Sequence, residues 1–184
     1  MYYNHYKKGK TIRVNDKMQN NYSYILSASY GKKGFTHKDF KPELTPKQIL
    51  ELGAFEGKYL NDCKNEFPLN WFMKAERKGK LSPKQSDPSV NYFGVKSRLS
   101  LQEWQKKGWC PITKGDPDVR GWFQWYCRYY IGRRNDNIDH IQINRWKSYK
   151  RHVGQIKKNC KSGDISCRSK QRQGLLQWAY NPFI

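Results

Sequence analysis

Five cysteines, a handful of carboxylates and a large surplus of arginine and lysine are the residues of this chain that could carry chemistry. Cys63, Cys127, Cys160 and Cys167 could offer thiolates to a structural metal, zinc above all, with His152 as an alternate ligand. Cys160 and Cys167 have six residues between them, a wider spacing than the common zinc modules use. Two other readings therefore stand beside the metal: buried structural thiols, and a redox-sensitive Cys160–Cys167 bridge that would staple the last two helices together. On either of these the protein holds no cofactor. Among the carboxylates, Asp62, Glu66, Asp116 and Asp118 could bind a metal or move protons, and a lysine amine could attack an abasic sugar. Asp116 and Asp118 precede an apolar helical run, where acids ordinarily cap the helix. No glycine-rich phosphate cradle and no nuclease-like pairing of acids with a lysine is present.

The arginines gather with aromatic rings. "DPDVRGWFQWYCRYYIGRR", residues 116–134, holds six rings and four arginines, Arg120, Arg128, Arg133 and Arg134. Trp122, Trp125, Tyr126 and Tyr129 recur at helical spacing as one broad face, while Arg120, Gln124 and Arg128 form a second stripe. With few branched aliphatic residues available, the tryptophans are expected inside and the arginines outside, with Tyr126 and Tyr130 the rings left exposed to stack on bases. The whole chain carries 36 basic against 15 acidic residues, a formal charge of +21 that calls for a polyanionic partner. Nucleic acid is the leading candidate, DNA before RNA. Only three acids follow residue 118, too few to pair the fourteen basic residues beyond it. Lys147, Lys150, Arg151, Lys157, Lys158, Arg168, Lys170 and Arg172 complete the expected phosphate-binding set.

The elements that must position these residues are punctuated clearly. Residues 1–40 are polar and basic, with only "YSYILSASY" able to form a short strand, and are expected to be an extended arm that orders on a partner. Residues 41–184 are expected to be one helical nucleic-acid-binding domain. Thr45 caps a helix with Pro46 in its first turn and Ile49, Leu50 and Leu52 behind. Pro68 opens a second, with Leu69, Phe72 and Met73 on its apolar side. Ser100 and Glu103 form a capping box that Gly108 answers, and Gly132 ends the aromatic helix. Next comes one long helix presenting Trp146, Tyr149, Val153 and Ile156. The last helix is buried through Leu175, Leu176 and Ala179, and Arg168, Lys170 and Arg172 in its first turns could converge on an anion.

The stretches "FKPELTPKQILELGAFEGKYLNDCKNEFPLNWF", "RGWFQWYCRYYIGRR" and "NCKSGDISCRSKQRQGLLQWAY" resemble a family of small, functionally uncharacterised proteins from bacterial, fungal and large-virus genomes. The resemblance spans roughly residues 40–180 and implies no activity, cofactor or site. It places Cys63, Cys127, Cys160 and Cys167 inside the similar stretches and leaves Cys110 and the arm outside.

The fold expected is thus mainly α, a single multi-helix domain with an extended basic N-terminal arm. The function expected is phosphate-directed nucleic-acid binding, architectural or packaging in character, in a virion or another large assembly, since no base-reading module is present. The alternatives are an enzyme acting on DNA, of nuclease or base-excision type, and a structural protein of a large assembly that uses its charge on another partner. No apolar run approaches the roughly 20 residues that span a bilayer. "MYYNHYKKGK" lacks the features of a secretory signal, which points to an intracellular protein of the virion or nucleus, not a secreted one.

Overall fold

A computed structural model describes residues 5–81, 84–111 and 115–184. It is mostly helical, as expected. Two strands, β1 (Thr11–Val14) and β2 (Tyr22–Ile25), precede α1 (Pro46–Leu52), α2 (Asn70–Arg77), α3 (Leu101–Lys106), α4 (Trp122–Ile131), α5 (Asp136–Tyr149), α6 (Arg151–Asn159) and α7 (Ser169–Gln177). The chain divides into two units. One takes residues up to Lys41 with Asp62–Leu69 and Leu99–Ile143; the other takes Pro42–Asn61, Asn70–Arg98 and Asn144–Ile184.

The first unit corrects the expectation of an extended arm. β1 and β2 pair antiparallel, Thr11 opposite Ile25 and Val14 opposite Tyr22. Val14, Tyr24, Leu26, Ala28 and Phe40 are buried, while all eight lysines and arginines of residues 5–40 are exposed. Tyr24, Leu26 and Ala28 alternate with exposed Ser23, Ile25, Ser27 and Ser29, the alternation that a half-buried hairpin needs. Past β2, the backbone N–H groups of Ser27 and Ala28 both donate to the Gly132 carbonyl at 3.0 Å. Gly132 caps α4 in the left-handed region at φ 115°, and a Cβ there would lie 2.3 Å from the Ala28 carbonyl oxygen. Only glycine meets both demands.

α4 is the centre of this unit, with every residue buried except Tyr130. Tyr126, expected to be exposed, stacks on Trp122 with ring centroids 5.2 Å apart and meets Phe40 edge-on. The polar tips of the tryptophans are satisfied, as burial requires: Trp122 donates to the Gln142 carbonyl and Trp125 to Asp139 at 2.7 Å. Asp116 and Asp118 do not cap α4. Gly121 stands at its N-cap with no side-chain hydrogen bond, and the helix is shorter than the sequence pattern implies.

In the second unit the Thr45–Gln48 capping box starts α1, whose Ile49 and Leu50 are buried as it packs against α2. α2 buries Trp71, Phe72 and Ala75, so Leu69 and Met73, expected on its inner side, are 52 % and 49 % exposed. The long helix expected after Asn137 is two, α5 and α6, meeting at Lys150. Trp146 stacks on Tyr180 and Tyr149 on Trp178, both with centroids 4.8 Å apart. α7 buries Leu175 and Leu176, with Ala179 buried just beyond, as the sequence indicates.

Candidate nucleic-acid interface

Four of the arginines expected to meet phosphate are inside the protein. Arg128 forms a two-pronged pair with Glu66, Nε to Oε1 at 2.5 Å and Nη2 to Oε2 at 3.0 Å. Its Nη1 reaches Asp118 and the Pro117 carbonyl, and its Nη2 reaches Gln19. Arg133 holds the same Asp118 through both terminal nitrogens. Arg120 spans Asp16 and Asp62 at 2.9 Å each. Burial opposes the charge of all three guanidiniums, but their carboxylate partners outweigh it and hold each above its ordinary value. Tyr24 donates to Glu66 at 2.8 Å, and the rings of Tyr22 and Tyr24 lie under Arg128. In the second unit, buried Arg172 donates to the carbonyls of Cys167, Asp164, Pro182 and Ile184, a cage of backbone dipoles. It therefore does not converge with Arg168 and Lys170 on an anion. Arg134 is half-buried, donating to the carbonyls of Gly34, Tyr129 and Arg133 while lying 3.6 Å from the Tyr129 ring centroid.

The carboxylates considered for catalysis have partners in and beside the same network. Glu66, Asp118 and Asp62 are spent on arginines, and buried Asp116 accepts from the Asp118 N–H. A carboxylate that the sequence reading missed is Glu56, buried on a turn where Phe55 and Glu56 both have positive φ, 55° and 58°. Gln177 accepts from the Phe55 N–H and Asn91 from the Glu56 N–H, which holds the turn against its strain. Ser86 donates to Glu56, and Arg98 lies 3.7 Å away. The glycines of "LGAFEG" hint at such a turn; the polar groups that fix it come from distant sequence.

The cysteine set expected to bind zinc does not assemble. Cys160 and Cys167 form a disulfide, which removes both as thiolate ligands and joins the end of α6 to the start of α7. Cys63 and Cys127 are buried thiols, as is Cys110. Burial pushes Cys63 up to about 12, with Arg120 pulling the other way, and pushes Cys127 well above its ordinary value, so both stay protonated. His152, the alternate ligand, contacts Gln155 and Gln171 and is held below its ordinary value by burial. Among the described residues no three His, Cys, Asp or Glu side chains are grouped to hold a metal ion.

Two basic surfaces stand out among the described residues. Lys150, Arg151, Lys157, Lys158, Lys161, Arg168 and Lys170 are all exposed, with Asp164 the one acid in that stretch; Lys147 beside them is half-buried. Lys157 and Lys158 end α6, where the helix dipole favours cations. The loop after them is pinned by the disulfide and by Asp164, which accepts from the Ser166 hydroxyl and from the Ser166 and Cys167 N–H groups. In the first unit, Tyr6, Lys7, Lys8, Ser29, Tyr30 and Lys33 line an open groove of about 550 Å3. The sequence reading missed this groove. Its signal was the near-repetition of "YKKG" at residues 6–9 and "YGKKG" at 30–34, which the hairpin brings together. Half-buried Tyr130 meets Tyr30 edge-on beside it. Among the described residues no helix is long and apolar enough to cross a membrane. No protein-family model, curated protein or solved structure matches the chain.

Proposed function

We propose that this protein binds nucleic acid through the phosphate backbone, as an architectural or packaging component that does not read base sequence. The observation that carries this is the run from Lys150 to Lys170, seven exposed cations against one acid on a surface ordered by two helices and a closed loop. Such a run repels itself unless a polyanion neutralises it. Lysine predominates, giving point charges suited to phosphate contact without the planar fork that reads guanine. If most of the seven meet phosphate, the logarithm of affinity for duplex DNA falls with the logarithm of salt at a slope of roughly −5 to −6.

Fluorescence anisotropy on a labelled duplex, at salt concentrations from about 50 to 200 mM, tests this. RNA and single-stranded DNA serve as parallel ligands and heparin as competitor. Lys157→Gln, Lys158→Gln and Lys161→Gln combined should flatten the duplex slope by between two and three, at about 0.9 per contact, with no change in melting temperature. A wild-type protein that binds heparin as well as any nucleic acid, or a triple variant with an unchanged slope, would overturn the proposal.

A further inference from the structure

The basic run accounts for phosphate contact but not for the groove in the first unit, which combines cations with aromatic rings. Tyr6 and Tyr30 line it with centroids 6.2 Å apart. Neither ring is loose. The Tyr6 hydroxyl donates to the Glu66 carbonyl, and Tyr30 packs edge-on against Tyr130 at 5.4 Å. Burial, followed by the charge of Glu66, pushes the Tyr6 hydroxyl up to about 12, so it stays a neutral donor. The backbone on both sides is equally tied down. The Gly9 N–H donates to the Leu26 carbonyl at 2.7 Å, and the Gly31 N–H to the Tyr130 carbonyl at 2.8 Å. Lys7, Lys8 and Lys33, all exposed, stand around the rings, and among the described residues no acidic side chain lines the groove.

We infer that this groove takes an unpaired nucleotide of a single-stranded nucleic acid, its base on the Tyr30 ring, which Tyr6 backs at an inclination of 43°, and the flanking phosphates on Lys7, Lys8 and Lys33. The inference rests on the nucleic-acid reading above and adds the class of ligand. A sulfated polysaccharide or an acidic peptide would use the lysines but offers no flat base to a ring held in place. A duplex has such faces but keeps them stacked inside. A single strand offers a base and a phosphate at every step, and every base can stack, so this mode tolerates any sequence. At about 550 Å3 the groove lies within the range of small-ligand sites, and it is open to solvent.

The test uses the full chain with fluorescent (dT)12 and a 12-base-pair duplex in parallel, on wild type, Tyr30→Leu, Tyr30→Phe and the pair Lys8→Gln with Lys33→Gln. Tyr30→Leu should weaken (dT)12 by roughly fivefold or more, the loss of one stacked base, and leave duplex binding unchanged. Tyr30→Phe keeps the ring and should bind as wild type. The lysine pair should flatten the (dT)12 salt slope by about 1.4, since single-strand contacts contribute about 0.7 each. Wild type that binds both ligands while Tyr30→Leu weakens neither, or both equally, would overturn the groove and leave the phosphate-binding proposal standing. Wild type that binds neither ligand would overturn both. If Tyr30→Leu melts early, the lysine pair, on exposed side chains, decides the question alone.

Discussion

Arg128 separates a structural arginine from a phosphate-binding one more sharply than any other position, because its sequence context and its structural context predict opposite outcomes. Its side chain is 0 % exposed and Glu66's is 3 %, and the two share two hydrogen bonds. Arg128→Met keeps an apolar stem of similar length and removes the charge. Glu66 then keeps only the Tyr24 hydroxyl among its side-chain partners here, while Asp118 keeps Arg133. Leaving a buried charge without its partner costs about 3–5 kcal/mol. For a chain of this size that is a fall in melting temperature of about 6–20 °C. Adding Glu66→Gln removes the stranded charge and retains an acceptor for Tyr24, so the double variant should regain about half of the loss or more. Calorimetry on wild type, the two single variants and the double variant measures the coupling. Anisotropy on the same proteins below their melting temperatures should give a duplex salt slope equal to wild type. If Arg128→Met melts like wild type while its salt slope flattens by about one, the arginine faces phosphate and the buried network is wrong.

Three further outcomes follow from the same structure. Gly132→Ala puts a Cβ 2.3 Å from the Ala28 carbonyl at φ 115°, and should lower the denaturant midpoint by the equivalent of about 2 kcal/mol or more, whereas Gly154→Ala, open within α6, should not destabilise. Cys160 and Cys167 are seven positions apart, a short loop whose closure is worth about 2.5 kcal/mol in the chain-entropy account; Cys160→Ser with Cys167→Ser, or reductant, should lower stability by that order in denaturant titrations. Cys63 rises from an ordinary 9.0 to about 12 and Tyr6 from 10.0 to about 12, both through burial, so the folded state holds these protons longer than the unfolded one. Stability is then intact below pH 9 and declines as the pH rises towards 12, a fall that melting curves and tyrosinate absorbance should report together.

The parts of the fold that the sequence discloses are those decided within a few residues. Thr45 with Gln48, Ser100 with Glu103, and Gly132 after α4 are local devices, and each stands where its pattern puts it. The inward face of α4 is legible for the same reason, since large rings at helical spacing with few aliphatic competitors have nowhere else to go. The arginines were misjudged because their partners are remote. Asp16 is 104 residues from Arg120, and Glu66 is 62 from Arg128. Counting the acids that follow residue 118 suggests a shortage, yet Asp118 itself and acids earlier in the chain fold back to supply the need. Tyr126 was misjudged with them: Phe40, from the supposed arm, covers it. The metal set failed on pairing, because spacing along the chain does not say which thiols meet.

Burying those arginines does not weaken the case for a polyanionic partner. Arg120, Arg128 and Arg133 pair inside with Asp16, Glu66 and Asp118, three positive charges against three negative, while Arg120's second partner, Asp62, stays exposed at 35 %. The buried network is therefore neutral, and the rest of the chain keeps the whole formal +21. Had these carboxylates stayed on the surface, they would have offset lysines there. Folding instead withdraws these acids together with an equal number of arginines, so the exposed lysines keep the full excess that the composition shows. Because these arginines are spent inside, disrupting the network should act on the binding proposed above through folding alone, never through a lost contact.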